Sequence, residues 1–229
     1  MEAIRPDQVV ARVSQLIERP SWDAIPGINT FLTWKQRLEN VDAQVLQTAT
    51  EMGGLIELLR QEAPTRVLEI GGAFGGWGYV VSGIAGPHME YIVIDPTPRG
   101  PFTSKVTDML QEQGVALTHL RKKSQDAVVD VVKLLDGKQV DILHIDGDHG
   151  RAKQDFALYR QFVRPGGYVI FHDILYSREA SDVTPVWADI RRGFYSVEFC
   201  AAQGGNQREG RYTDGKGIGA IRMPCERKV

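Results

Sequence analysis

The chain predicts a doubly wound α/β fold: a mostly parallel sheet covered on both faces, ending in an antiparallel hairpin and preceded by extra helices. Three observations carry that expectation. From Arg66 onward, short apolar and β-branched runs alternate with amphipathic stretches of helical length, as strands buried on both faces do. The run Val67-Leu-Glu-Ile-Gly-Gly-Ala-Phe-Gly-Gly76 reads as a strand, a glycine turn and a helix start. A second strand, Tyr91-Ile-Val-Ile-Asp95, follows and ends in a carboxylate. Near the end, two apolar runs flank one polar loop, the pattern of a strand pair.

The elements follow in order. Residues 9–17 form a short amphipathic helix, and the turn formers of 20–29 make a loop. Leu38, Val41, Val45, Ala49, Met52, Ile56 and Leu59 recur at three or four residues, so one long helix is expected, kinked at Gly53-Gly54. Pro64 stops it and starts the first strand. Strands are expected at 66–70, 91–95, 116–120, 141–145 and 168–171, with helices at 76–84, 104–113, 124–135 and 151–162. Thr184-Pro185 reads as an N-cap followed by proline at the first helical position, opening a short helix through Arg191. The runs 194–202 and 217–223, around the loop 203–216, complete a seven-stranded sheet as an edge hairpin.

At 229 residues the chain suits a single domain, with residues 1–63 a helical cover and 64–223 the core. Hydrophobic residues at 42% and charged residues at 24% describe an ordinary globular chain, not a disordered or membrane-embedded one. A formal net charge of −2 gives no broad field for nucleic acid or anionic membrane. The one tight basic run, Arg121-Lys122-Lys123, reads as a solvated loop. Cys200 and Cys225 form no metal-spacing motif, and Cys200 reads as a small core residue. With no apolar signal region after Met1 and no segment of transmembrane length, a cytoplasmic protein is expected.

The glycines narrow the ligand. A dinucleotide fingerprint needs Gly-x-Gly-x-x-Gly, yet Ala73 stands at the middle position counted from Gly71. What remains is Glu69-x-Gly71-x-x-x-Gly75, and a carboxylate there repels a pyrophosphate but suits a cationic ligand. Gly71, Gly72 and Gly75 let backbone approach the ligand. Asp95 is placed to accept hydrogen bonds from a ribose diol, although Asp95-Pro-Thr-Pro98 is also a good turn sequence. An adenosine-containing cofactor is therefore expected. These residues resemble the first motif of class I S-adenosylmethionine-dependent methyltransferases, whose Rossmann-like core covers about residues 64 to 223 here. The resemblance implies S-adenosylmethionine as cofactor, Glu69 near its methionine part, and Ser124 and Gln125 near its adenine.

Chemistry gathers at two strand ends. The fourth strand ends in His144-Ile-Asp146-Gly-Asp148-His149 and the fifth in His172-Asp173. With no lysine or arginine evident between them, Asp146 and Asp173 would repel unless protonated or bridged by a metal. Oxygen-rich, incomplete coordination suits Mg²⁺, completed by a bidentate acceptor such as a vicinal diol. Such a metal would lower the pKa of a bound hydroxyl, and His149 is the candidate catalytic base. Blander readings stand beside these. Asp146 or Asp148 could cap the helix that follows, and His172 with Asp173 could form a hydrogen-bonded turn. His144 reads as a core histidine, and His88 and His119 as surface residues.

The lines Val140-Asp-Ile-Leu-His-Ile-Asp-Gly-Asp-His149 and Arg164-Pro-Gly-Gly-Tyr-Val-Ile-Phe-His-Asp173 resemble the macrocin- and mycinamicin-type sugar O-methyltransferases. Catechol-type and cephalosporin-cluster enzymes are more distant. The resemblance implies metal ligands at Asp146, His172 and Asp173, a base at His149, and Asp146 bordering the cofactor as well. His172 stands where that group has a carboxylate, and imidazole favours Mn²⁺, Fe²⁺ or Zn²⁺ over Mg²⁺.

The expected function is a divalent-metal-assisted O-methyltransferase acting on a hydroxyl of a small molecule, a sugar or a natural-product intermediate. Trp22, Phe31 and Trp34 are candidates for apolar walls of the acceptor site. Two alternatives are a hydroxylase-like metalloenzyme of the same fold and a non-catalytic, cofactor-binding partner subunit. A membrane or nucleic-acid partner is not expected, since no basic face or Asn/Asp-Pro-Pro-Tyr-like motif occurs, and a homo-oligomer is compatible.

Overall fold

The computed structural model describes residues 28–41, 44–96, 104–175, 183–200 and 217–225. The expected helix at 9–17, Trp22 and the loop 203–216 lie outside them. Among the described residues, two helices, α1 (Ile28–Glu39) and α2 (Ala49–Glu62), precede the sheet. Then come β1 (Arg66–Ile70), α3 (Gly76–Ala85), β2 (Glu90–Ile94), α4 (Ser104–Glu112), β3 (Ala116–Leu120) and α5 (Ser124–Leu135). The second half runs β4 (Val140–Ile145), α6 (Ala152–Tyr159), β5 (Val163–His172), α7 (Val183–Ile190), β6 (Tyr195–Phe199) and β7 (Ile218–Arg222).

The seven strands are ordered β3-β2-β1-β4-β5-β7-β6. The first five are parallel, while β7 runs antiparallel to both β5 and β6. Chain order reverses between β1 and β4, which opens a crevice at their carboxyl ends. Side chains alternate between two cores, as the strand period of two demands. Val67, Tyr91, Val93 and Ile142 pack with α1 to α4. Leu68, Ile92, Leu143 and Phe171 pack with α5 to α7 on the opposite face. No helix among the described residues is long and apolar enough to cross a membrane.

The N-terminal stripe is not one helix. It breaks after Glu39 and resumes at Ala49, because Thr48 is an N-cap in extended conformation (φ −80°, ψ 161°). Thr48 and Glu51 close a capping box, and satisfying two helix-end amides outweighs a continuous apolar stripe. Helix α2 then runs through Gly53 and Gly54. A Cβ on Gly54 would stand 2.4 Å from the Phe199 ring, so this glycine admits β6 against α2. The helix stops at Ala63, a left-handed C-cap (φ 44°) before Pro64. Strand β5 starts five residues earlier than Arg164-Pro-Gly-Gly suggests, pairing Val163 with Val140 before a register shift. Helix α7 begins at Val183, which puts Thr184 inside its first turn and not at the cap.

Candidate functional site

The glycine turn joins three strand ends. Gly71 sits at φ 90°, and its N–H donates to Ile94 O at 2.9 Å. A Cβ there would lie 2.3 Å from Asp146 O, so only glycine lets β1 and β4 close at this point. Gly72 is buried beside it. Gly75 caps α3 with no side-chain hydrogen bond, leaving that helix start to its own amides. Asp95 is buried at the end of β2, and its Oδ2 accepts the Ala73 N–H at 2.8 Å. The second strand and the turn are thus tied by the very carboxylate expected to meet a ribose.

Glu69 points into the sheet. Its Oε1 lies 2.9 Å from His144 Nδ1, and its Oε2 accepts the Tyr91 hydroxyl. Burial raises the Glu69 carboxyl above the usual range, against the hydrogen bond to His144. His144 is fully buried, as a core histidine should be, and stacks on Trp77 with ring centroids 4.0 Å apart. At the start of α5, Ser124 O accepts the Tyr159 hydroxyl, while the buried Gln125 Oε1 has no hydrogen-bond partner. His119 is half-buried, with Nε2 3.3 Å from Asp95 O, and burial lowers its pKa. It is therefore not the surface residue that its sequence context suggests.

The second cluster stands at the ends of β4 and β5. Asp146 follows β4, and Asp173 follows β5 in left-handed conformation (φ 60°). His149 opens a 3₁₀ turn whose cap is Asp148, so Asp148 rather than Asp146 takes the capping role. His149 Nε2 lies 3.0 Å from Asp173 Oδ2. His172 Nδ1 lies 3.0 Å from Asp146 Oδ1 and 3.3 Å from Asp173 Oδ1. Burial works against a charge on that ring, but the two aspartates, with Asp146 foremost, outweigh it and raise its pKa to about 9. His172 thus stands between the two carboxylates, which favour its protonated form. Donor atoms of Asp146, His149 and Asp173 fall within 4.8 Å of one another, a group able to hold a metal ion. His149 therefore joins the two aspartates in the geometry where sequence reasoning put His172.

Beside the glycine turn lies a small cleft, open to solvent, bordered by Glu69, Gly71, Gly72, Trp77 and Asp146. Its remaining wall comes from the segment before α2, where Gln44, Leu46 and Gln47 border it. Gln47 and Glu51 are buried polar residues that sequence reasoning missed. A glutamine carries no signal by itself. The Thr48-x-x-Glu51 box was the available clue that backbone is fixed here. Phe31 is buried in the core, and Trp34 packs partly buried against it.

Residues 68–174 match a family described as a methyltransferase domain. An uncharacterized protein of Acanthamoeba polyphaga mimivirus is 35% identical over 89 residues, which cover 36% of this chain and 40% of that protein. The chain thus spans less than half the length of that curated relative. Among solved structures, an O-methyltransferase from Bacillus cereus in complex with SAH superimposes with a TM-score of 0.63 at 11% identity. The match covers 96% of this chain and 100% of that one. The O-methyltransferase TomG from Streptomyces achromogenes, involved in tomaymycin synthesis and solved with SAM, gives 0.59 at 18% identity, covering 97% and 99%. These likenesses show the fold. Residues 68–174 match the methyltransferase-domain family, and the chain shares the seven-stranded α/β fold of these O-methyltransferase structures.

Proposed function

We propose that this chain is an S-adenosylmethionine-dependent O-methyltransferase acting on a hydroxyl of a small molecule, a sugar or a natural-product intermediate, with help from a divalent cation. Residues 64–223 would be its core and 1–63 its cover. The observation that carries this reading is the meeting of the glycine turn and the Asp146, His149 and Asp173 donors at Asp146, which borders the cleft and belongs to the donor group as well. When bound, S-adenosylmethionine supplies a methyl group on a positively charged sulfur, which needs only an aligned and deprotonated acceptor.

The residues fit such a cofactor. Gly71, Gly72 and Gly75 bring backbone to the cleft. The uncapped amides of α3 suit a carboxylate, and the Asp146 carboxylate beside the cleft suits a sulfonium. Asp95 is our candidate for the ribose. The unpartnered Gln125 Oε1 beside Ser124 is an acceptor in want of a donor, such as an adenine amino group. A divalent cation fits Asp146, Asp173 and His149, two hard oxygens and one imidazole, a set that favours Mn²⁺ or Fe²⁺ as much as Mg²⁺. Such an ion would lower the pKa of an acceptor hydroxyl.

A second reading rests on the His149–Asp173 contact. In it His149 is the base, its Nε2–H donated to Asp173, and its Nδ1 takes the acceptor's proton without a metal. His172 favours this reading, since it already compensates the two carboxylates. Calorimetric titration with S-adenosylhomocysteine, with and without Mg²⁺ or Mn²⁺ and with NAD as control, tests both. Micromolar binding of S-adenosylhomocysteine and none of NAD is expected. Heat from the metal alone selects the first reading over the second. Absence of S-adenosylhomocysteine binding would remove the methyltransferase reading altogether.

A further inference from the structure

In the segment between α1 and α2, the Gln47 side chain reaches the site with a hydrogen bond. Gln47 is only 3% exposed, and its Nε2 donates to Asp146 Oδ2 at 3.1 Å, across 99 residues of sequence. A buried side-chain amide is costly unless paired, so this contact is what makes the position tolerable. Gln47 is held from both sides. The Thr48 N–H and hydroxyl donate to Glu51 Oε2 at 2.7 and 2.8 Å, and Glu51 Oε1 accepts the Gly217 N–H at 2.5 Å. On the other side, Gln44 O lies 2.2 Å from where a Cβ on Gly76 would stand. The segment therefore rests directly on the first turn of α3, and a side chain at position 76 would lift it off. Residues 44 to 47 become one wall of the cleft, facing the glycine turn.

Resting on the cofactor reading of that cleft, we infer that the Gln47–Asp146 hydrogen bond is a latch. It orients Asp146 and holds the 44–48 arm across the bound cofactor, which makes Gln47 a positioning residue of the site. The chemistry suits the task. A neutral amide orients a carboxylate without cancelling its charge and takes up no proton near neutral pH. The two oxygens of Asp146 then divide their work, Oδ2 toward the arm and Oδ1 toward His172.

Two readouts test the latch: the release rate of S-adenosylhomocysteine by stopped flow, and hydrogen–deuterium exchange of amides 44–48 in ligand-free protein. Gln47→Ala should speed release about tenfold, the loss of one hydrogen bond to a charged group. Asp146→Ala, which also takes a carboxylate from the cleft, should speed it at least as much, and both should raise exchange of the arm. The double variant should go no further, since both changes break the same bond. Combining Gln47→Glu with Asp146→Asn exchanges donor and acceptor. It should bring release back to within about threefold of the original rate. Additive single effects, an unrescued swap, or arm exchange unchanged in both single variants would overturn the latch. Should the unaltered protein fail to bind S-adenosylhomocysteine, the cofactor reading falls while exchange of the arm still decides the latch.

Discussion

His144 Nδ1 stands 2.9 Å from Glu69 Oε1, and His172 Nδ1 stands 3.0 Å from Asp146 Oδ1. The two imidazole–carboxylate pairs sit one strand apart with nearly the same geometry, yet their surroundings oppose each other. The first is sealed between β1, β2 and β4, with both side chains at most 1% exposed, Tyr91 on the second oxygen and Trp77 stacked on the ring. The second lies at the crevice mouth, where Asp146 keeps 17% exposure and Asp173 adds a second carboxylate. Contact geometry does not separate a structural pair from a reactive one. Solvent access and an excess carboxylate do, because only the second pair can trade its partner for a cation or a substrate hydroxyl.

The widest separation of the two pairs should appear in stability. Glu69→Ala leaves His144 and the Tyr91 hydroxyl without their buried partner, and we expect a loss of about 3–5 kcal/mol in denaturant unfolding. Asp146→Asn, at the open pair, keeps an oxygen for Gln47 and should cost less, about 1–2 kcal/mol. Equal losses would erase the distinction.

The pairs should also differ in their response to pH. The folded pKa of His172 is raised from 6.5 to about 9, so protonation stabilises the folded state. That contribution is complete below pH 6.5 and is lost as pH rises through about 9. In chelator-treated protein, unfolding free energy should fall across that window, and His172→Gln should flatten the fall. A slope that survives the substitution would assign it to another group.

How much of this could be read from the chain follows from range. The strands from Arg66 onward and the turn at Gly71 to Gly76 were legible because β-branched runs and glycine spacing are local signals. The placement of Asp146 and Asp173 at neighbouring strand ends followed from strand order alone. The break at Thr48 was missed although the capping box is written in the sequence, because the apolar stripe continues across it and helical periodicity is blind to a cap. The early start of β5 was missed because Pro165 and Gly166 imitate a turn, and the sheet takes them in through a register shift. The placement of the His149 and His172 rings was beyond reach. Each adjoins an aspartate in sequence, His149 after Asp148 and His172 before Asp173, and only three-dimensional packing turns one ring between two carboxylates and the other beside Asp173. Gln47 lay furthest out of sight, since no local pattern links it to Asp146.

Ligand binding should divide the site in the same way. Asp173→Asn removes a charge from the Asp146, His149 and Asp173 donors, and Mn²⁺ affinity should fall about 100-fold, at least the loss seen when outer-shell partners of a metal are removed. Affinity for S-adenosylhomocysteine should change by less than about threefold, because Asp173 does not border the cleft that Gly71 and Gly72 line. A matching loss of both ligands would mean that the two sites are one unit.

The smallest effect should come from Asp95, and it bears on whether the glycine wall acts as a rigid scaffold or as a contact surface. Its Oδ2 already accepts the Ala73 N–H at 2.8 Å, so the carboxylate orders the turn before any ligand arrives. Asp95→Ala removes both the turn's acceptor and the proposed ribose partner, and S-adenosylhomocysteine should bind about tenfold more weakly. Asp95→Asn keeps one oxygen for Ala73 but loses the charge and one acceptor for the diol. If the role is to shape the turn, the asparagine variant should bind like the unaltered protein. If Asp95 meets the ribose directly, affinity should fall most of the way toward that of the alanine variant. Isothermal titration of the two variants side by side separates these roles, and unchanged affinity in both would take Asp95 out of the cofactor site.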